Sequence, residues 1–172
     1  MKLAAGIAPV PSFLQAGIPV GLGTDGCASN NDLDLLREMD TAAKLHKVAG
    51  GDPTALPAAR VLAMATRDGA RAIGLGDRIG TLEVGKQADL VILDSAHPAL
   101  CPVYNPVSQA VYAGGGDAVR DTVVAGRVRV RHHRMVDGDL EAVMDRVRAI
   151  GRQIQRPRNS DPNALDGKGS PS

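Results

Sequence analysis

The sequence predicts a mixed α/β fold, and three observations carry that expectation. A short apolar run of strand length, Pro19-Val20-Gly21-Leu22-Gly23-Thr24, ends on Asp25 and gives way to a helical pattern. From residue 76 the texture changes to short β segments punctuated by Gly and Pro. Near the C-terminus Leu140, Val143, Met144, Val147, Ile150 and Ile154 recur at helical spacing, the clearest helical signal in the chain.

Each element follows from local chemistry. Residues 11–16 suit a short helix that Gly17 stops, and residues 19–24 a buried strand with Asp25 at its C-terminal tip. After a small polar turn, Asn30 or Asn31 caps a helix over 32–48, where Leu36, Met39 and Ala43, with Leu35 and Ala42 alongside, form an amphipathic face. Gly50-Gly51-Asp52-Pro53 is a break. A second helix is expected over 57–73, with Pro57 tolerated in its first turn and Gly74 just past its end. Strands are expected over 80–84, 88–93, 109–113, 121–125 and 127–131, the last two joined by a tight turn at Ala125 and Gly126. In the last of these Arg127, Arg129 and Arg131 alternate with Val128 and Val130, which puts the arginines on one solvated face. A helix over 139–154 follows, and the Pro-, Asn-, Gly- and Ser-rich residues 157–172 read as a disordered tail.

Composition narrows the function. The 172 residues amount to roughly one domain of ~100–200 residues, and 44% hydrophobic content is enough to bury a core. A net charge of +1 gives no electrostatic reason to expect nucleic acid or an anionic membrane as partner. No apolar run approaches the ~18 residues of a membrane span, and Lys2 is followed by Pro9, Pro11 and Pro19 rather than by a continuous apolar stretch with a small-residue cleavage site, so no signal peptide is expected. Cys27 and Cys101 are too few for a disulfide framework or a thiolate metal site, so a soluble protein of the reducing cytoplasm is expected.

Among candidate site residues, Asp25 stands out. A carboxylate at the end of a buried strand, flanked by Gly23 and Gly26 so that a ligand can approach the backbone, is where α/β enzymes place catalytic groups. The alternative is an Asp that only caps its own turn. Arg127, Arg129, Arg131, His132, His133 and Arg134 alternate with valines and lack interleaved aromatics, so they read as an exposed hairpin face, not a nucleic-acid patch. Gly114-Gly115-Gly116 opens no helix in a phosphate-binding pattern and reads as a loop. Cys27 reads as a small packed residue, and Cys101 has no visible role.

Lys2-Leu3-Ala4-Ala5-Gly6-Ile7-Ala8-Pro9-Val10 followed by Gly23-Thr24-Asp25-Gly26-Cys27-Ala28-Ser29-Asn30-Asn31 resembles the end of the catalytic barrel in the metal-dependent amidohydrolase superfamily. The similarity is greatest to the branch of 5′-methylthioadenosine/S-adenosylhomocysteine deaminases and related chlorohydrolases. It continues through Met64-Ala65-Thr66-Arg67-Asp68-Gly69-Ala70-Arg71-Ala72 and Ile79-Gly80-Thr81-Leu82-Glu83-Val84-Gly85-Lys86-Gln87-Ala88-Asp89-Leu90-Val91-Ile92, the latter similar to the family's return into its small β domain. The resemblance implies an incomplete TIM (β/α)8 barrel, represented by its last strand and helices, plus part of a small β-rich domain and a C-terminal helix. A complete barrel needs ~200–250 residues. The implied boundaries are 1–75 for the barrel remnant, 76–137 for the small domain, 138–156 for the helix and 157–172 for the tail.

By motif, Asp25 is the family's metal ligand and proton-transfer group; Ser29, Asn30 and Asn31 shape the turn behind it. The implied chemistry is a carboxylate taking a proton from water acidified toward pKa ~7 by Zn²⁺ or another divalent ion, then delivering it to a leaving amine. The family's His-x-His pair and its further histidine ligands lie upstream of the matched region. Of the histidines present, His46 is expected at a solvated helix end, His97 in a turn, and the adjacent His132 and His133 in an exposed basic turn. One carboxylate cannot hold a catalytic metal, which takes about three protein ligands. The expectation is therefore that the chain alone neither binds zinc tightly nor turns over substrate. The resemblance places Met1 at an internal position, so the chain is expected to be the C-terminal part of a longer enzyme. Its partners would be the missing N-terminal half or a homologous subunit, and a purine nucleoside derivative as substrate. A triazine or other cyclic amidine is the alternative substrate, and a non-catalytic association module the alternative function.

Overall fold

The computed structural model describes residues 2–155, in two compact units that divide between Val136 and Asp137. The expected tail, 157–172, lies outside the described residues. The first unit contains helices α1 (Val10–Gln15), α2 (Leu35–Gly50), α3 (Ala58–Ala65), α4 (Arg67–Ala72) and α5 (Pro106–Tyr112), and strands β1 (Leu90–Leu93), β2 (Val119–Val124), β3 (Arg127–Arg131) and β4 (Arg134–Met135). The second contains α6 (Leu140–Gln155), one residue displaced from the sequence expectation.

The core is built where α2, α3 and α5 meet. Met39 and Ala43 of α2, Val61 and Met64 of α3 and Val111 of α5 are buried together with Val10 and Leu56, and Val20 and Leu22 pack against them. Helix α2 begins at Asp34, not at Asn30 or Asn31: the Asp34 carboxylate accepts the Leu36 N–H at 2.9 Å. It ends on Gly51 at φ 61°. His46 is buried, not solvated. It stands three residues after Ala43 on the stripe that starts at Leu36, so the helical period that buries Met39 carries the imidazole inward too.

The helix expected over 57–73 is two helices, α3 and α4, broken at Thr66 with φ −128° and ψ −99°. The Thr66 hydroxyl donates back to the Leu62 carbonyl at 2.7 Å, the local bond by which Thr competes with helical pairing. The segment expected as a strand over 80–84 is a turn; Lys86 clamps it by donating to the Gly76 carbonyl at 2.8 Å and to Thr81 Oγ1 at 2.6 Å. The expected strand 109–113 is instead the end of α5 and its C-cap Ala113, because Asn105 caps the Ser108 N–H at 2.9 Å and Pro106 stands at the first helical position.

The sheet is an antiparallel meander in the order β1-β2-β3-β4, with Leu90 opposite Val123 and Thr122 opposite Val130. Both hairpin turns carry a left-handed pair: Ala125 and Gly126 at φ 49° and 76°, His132 and His133 at φ 49° and 62°. That geometry matches the right-handed twist of the flanking strands. The arginines of β3 face solvent in strict alternation with Val128 and Val130, as expected.

Candidate active site

Residues 19–24, the expected barrel strand, pair with no strand among the described residues. They run instead across the α3–α4 break, with Val20, Leu22 and Thr24 half-buried in alternation. The Leu22 N–H donates to the Met64 carbonyl at 3.2 Å. The approach is backbone to backbone: a Cβ on Gly21 would lie 2.9 Å from the Gly69 Cα. Two glycines, one in each segment, permit it.

This passage delivers Asp25 to the surface. Asp25 has φ 58°, in the left-handed region that Asp tolerates better than most residues but that still costs on the order of 1 kcal/mol. Its Oδ1 accepts the Gly26 N–H at 2.6 Å. The Ser29 hydroxyl first, and the Gly26 N–H second, hold its carboxyl below the usual carboxylate range. The group is exposed and ionised at neutral pH, a state suited to binding a cation.

The turn behind it is closed by hydrogen bonds. The Gly26 carbonyl accepts the Ser29 N–H at 3.1 Å, the Asn30 N–H at 2.8 Å and the Ser29 hydroxyl at 3.1 Å. Asn30 Nδ2 donates to the Thr24 carbonyl at 3.0 Å and to Glu38 Oε1 at 2.6 Å. Lys2 Nζ reaches the Ala28 carbonyl at 3.0 Å and Asn31 Oδ1 at 2.5 Å. Ser29, Asn30 and Asn31 thus act on the turn as expected, but Glu38 and Lys2 were not legible as parts of it. Eight residues separate Asn30 from Glu38, and no local pattern marks that pairing.

The histidines are engaged elsewhere. His46 is in the core, and burial pushes its imidazole pKa down. His97 Nδ1 accepts the Ala99 N–H at 3.3 Å, a turn role as expected, and His133 Nε2 lies 3.5 Å from Asp94 Oδ2. Among the described residues no group of three or more His, Cys, Asp or Glu side chains is arranged to hold a metal ion. Asp25 therefore fits as one ligand of a cation, and the described residues do not complete the set. Cys27 and Cys101 are free and exposed, so Cys27 is not packed.

A cleft of about 1010 Å³ lies between the start of α2 and the sheet, lined by Leu33, Leu36, Leu62, Ile79, Leu90 and Val123 among others. Asp25 does not line it. Its wall is largely apolar, without a convergent set of ligating groups, so Asp25 rather than the cleft marks the candidate chemistry. Gly114 to Gly116 form a structural link: the Gly116 N–H donates to Asp34 Oδ2 at 2.6 Å, tying that loop to the cap of α2.

Residues 1–129 match the Amidohydrolase family. The chain belongs to that family. Over 155 residues, 90% of this amidohydrolase chain, it is 57% identical to a 5-methylthioadenosine/S-adenosylhomocysteine deaminase of Syntrophobacter fumaroxidans, of which it covers 35%. An adenosine deaminase from Xanthomonas campestris, solved with bound zinc, superposes with a TM-score of 0.86 at 44% identity, over 89% of this chain and 35% of that one. An atrazine chlorohydrolase from Arthrobacter aurescens, complexed with zinc, superposes with a TM-score of 0.76 at 36% identity, over 84% of this chain and 32% of that one. The chain thus spans about a third of the length of the relatives it matches. No helix among the described residues is long and apolar enough to cross a membrane.

Proposed function

We propose that this amidohydrolase chain is the C-terminal part of a metal-dependent deaminase that hydrolyses the exocyclic C–N bond of an adenosine derivative such as 5′-methylthioadenosine or S-adenosylhomocysteine. The observation that carries the proposal is 57% identity across 90% of the chain to a protein of that activity. Asp25 is assigned as a ligand of Zn²⁺ or a similar divalent ion and as the proton-transfer group. The ion supplies Lewis-acid activation of water at neutral pH. The exposed, ionised Asp25 carboxylate would accept a proton from the water whose oxygen bonds to the ring carbon and return it to the departing amine as the C–N bond breaks, so that ammonia leaves and the product keeps the other water proton. The remaining ligands come from the part of the fold that this chain does not span. In this reading residues 1–75 belong to the last portion of a (β/α)8 barrel, 76–137 to a small β-rich domain and 138–156 to a C-terminal helix, and the protein works in the cytoplasm.

The test is co-expression of the 172-residue chain with the portion of the Syntrophobacter deaminase that it does not cover. The pair is expected to retain zinc through dialysis and to deaminate 5′-methylthioadenosine, followed by the adenine absorbance change. Asp25→Asn in the pair is expected to abolish turnover. Full activity of that variant would overturn the assignment, and stoichiometric zinc held by the chain alone would overturn the incomplete-site reading. Turnover of a triazine but no adenosine derivative would move the substrate to the chlorohydrolase class, which the superposition at 36% identity supports.

A second reading, an association module without catalysis, draws on β1 as an edge strand and on the unpaired residues 19–24. An inactive pair combined with stable self-association of the chain would favour it.

A further inference from the structure

The side-chain hydrogen bonds of Asn30 tie the residue before Asp25 to helix α2. Its Oδ1 accepts the Asp32 N–H at 3.3 Å, while the two protons on Nδ2 go six residues back, to the Thr24 carbonyl, and eight residues forward, to Glu38 Oε1 in the first turn of α2. An Asn that only shaped a turn would be satisfied by bonds two residues away. The Thr24 carbonyl belongs to the peptide plane whose rotation is the φ angle of Asp25. That angle is 58°, where a non-glycine residue stays only if its surroundings hold it. The plane on the other side of Asp25 is pinned within the turn itself, by the Gly26 N–H on Asp25 Oδ1 at 2.6 Å and the Thr24 hydroxyl on the Asp25 carbonyl at 3.1 Å. Asn30 is what connects this constrained tip to a helix.

We infer that Asn30, braced by Glu38, is a positioning residue: by holding the Thr24 carbonyl it keeps Asp25 in the left-handed conformation in which its carboxylate is exposed at the end of the extended segment 19–24. The inference deepens the proposed function and rests on the role given there to Asp25. Glu38 contributes an acceptor, fixing the amide so that its second proton points at Thr24. A neutral acceptor does the same work, so Glu38→Gln preserves the device while Glu38→Ala removes it.

The experiment uses the isotope-labelled full chain as wild type and as N30A, E38A, E38Q and N30A/E38A. Two quantities are read in each: the backbone carbon shifts and HN–Hα coupling of Asp25, which report left-handed geometry, and the thermal midpoint. N30A is expected to lose the left-handed signature at Asp25 while shifts of the α2–α3–α5 core stay in place. E38Q is expected to retain the signature, and the double variant to look like N30A, because Glu38 acts through Asn30. Paired with the remainder of the Syntrophobacter deaminase, N30A is expected to lose about 10²-fold in kcat, the scale for a reacting group displaced by about 1 Å. KM is expected to stay within about twofold, since substrate binding is not touched.

Persistence of the left-handed signature in N30A overturns the inference, as does an unchanged kcat in an active pair. Shift changes throughout the α2–α3–α5 core, with a collapsed thermal midpoint in both N30A and E38Q, overturn it in favour of a purely structural role. Loss of the signature at Asp25 alone, with a wild-type pair that does not deaminate, supports the positioning role and counts against the proposed function.

Discussion

Replacing Gly69 by Ala separates what helix propensity says from what packing says. Gly69 lies in α4 without a positive φ, so propensity alone credits the change with up to ~1 kcal/mol of stabilisation. The structure reverses the sign. A Cβ at that position would stand 2.8 Å from the Met64 carbonyl oxygen and 3.8 Å from the Gly21 Cα, and both neighbours are backbone that cannot rotate away. Relief requires α3 and α4 to part, which costs about 1–3 kcal/mol for an overpacked contact. It also strains the Leu22 N–H to Met64 carbonyl bond of 3.2 Å, worth about 1 kcal/mol. Setting the propensity gain against these leaves a net loss of about 1–3 kcal/mol. With a urea m-value of ~1–3 kcal/mol/M, the unfolding midpoint should fall by on the order of 1 M. Gly50→Ala is the control: it ends α2 with nothing within 4 Å of its would-be Cβ, and is expected to leave the midpoint unchanged or slightly raised. A Gly69→Ala midpoint at or above that of Gly50→Ala would refute the close-approach argument.

Other perturbations probe the charges and caps. Asp68 is 8% exposed and meets Arg67 at 2.9 Å, Arg60 at 3.4 Å and Arg71 at 3.8 Å. The hydrogen bond from Arg67 leads in holding its carboxyl below the usual range, so its stabilisation is present above about pH 4 and is lost as pH falls through the lowered folded value. Asp68→Asn should cost about 1–2 kcal/mol at pH 7, discounted because the arginines are largely exposed, and should flatten the acid limb of the melting curve against pH. His46 runs in the other sense: burial disfavours its imidazolium, so the unfolded chain takes up the proton first and stability falls as pH drops below about 6.5. His46→Leu should remove that slope, seen as equal urea midpoints at pH 5.5 and 7 once other groups are accounted for by the wild type. Asp34→Ala removes the acceptor of both the Leu36 and Gly116 N–H groups and should cost about 1–2 kcal/mol, with faster amide exchange at Gly116.

Several features were legible because they are written in short stretches of chain. The Leu36, Met39, Ala43 stripe, the Ala125 and Gly126 turn and the spacing in α6 each report one element's own geometry. Other signals were present but were outweighed. Asn105 followed by Pro106 is a helix start, yet the apolar residues after it read as a strand; the cap decides because it satisfies orphan N–H groups that a strand would leave to a neighbour. His46 continues the α2 stripe and is buried by the same period that buries Met39 and Ala43. At the site, Asp25 was found by its motif, whereas the brace from Asn30 to Glu38 and the clamp from Lys2 join residues whose separation carries no periodic signature.

By itself the sequence determined the helical stripes of α2 and α6 and the β2–β3 hairpin, which residue the family motif makes the candidate ligand, and that the chain matches only part of a longer fold. The tertiary structure decided what those segments do to one another. Residues 19–24 have the composition of a strand but find no partner strand among the described residues, because pairing is a property of two strands and not of one. The helix expected over 57–73 breaks where Thr66 bonds back to Leu62 and Gly21 comes against Gly69. The conformation of Asp25 is held by an amide anchored to a helix that begins ten residues later. Local pattern reports the preference of a residue for its own backbone state; burial, close approach and bracing depend on atoms that only folding brings together.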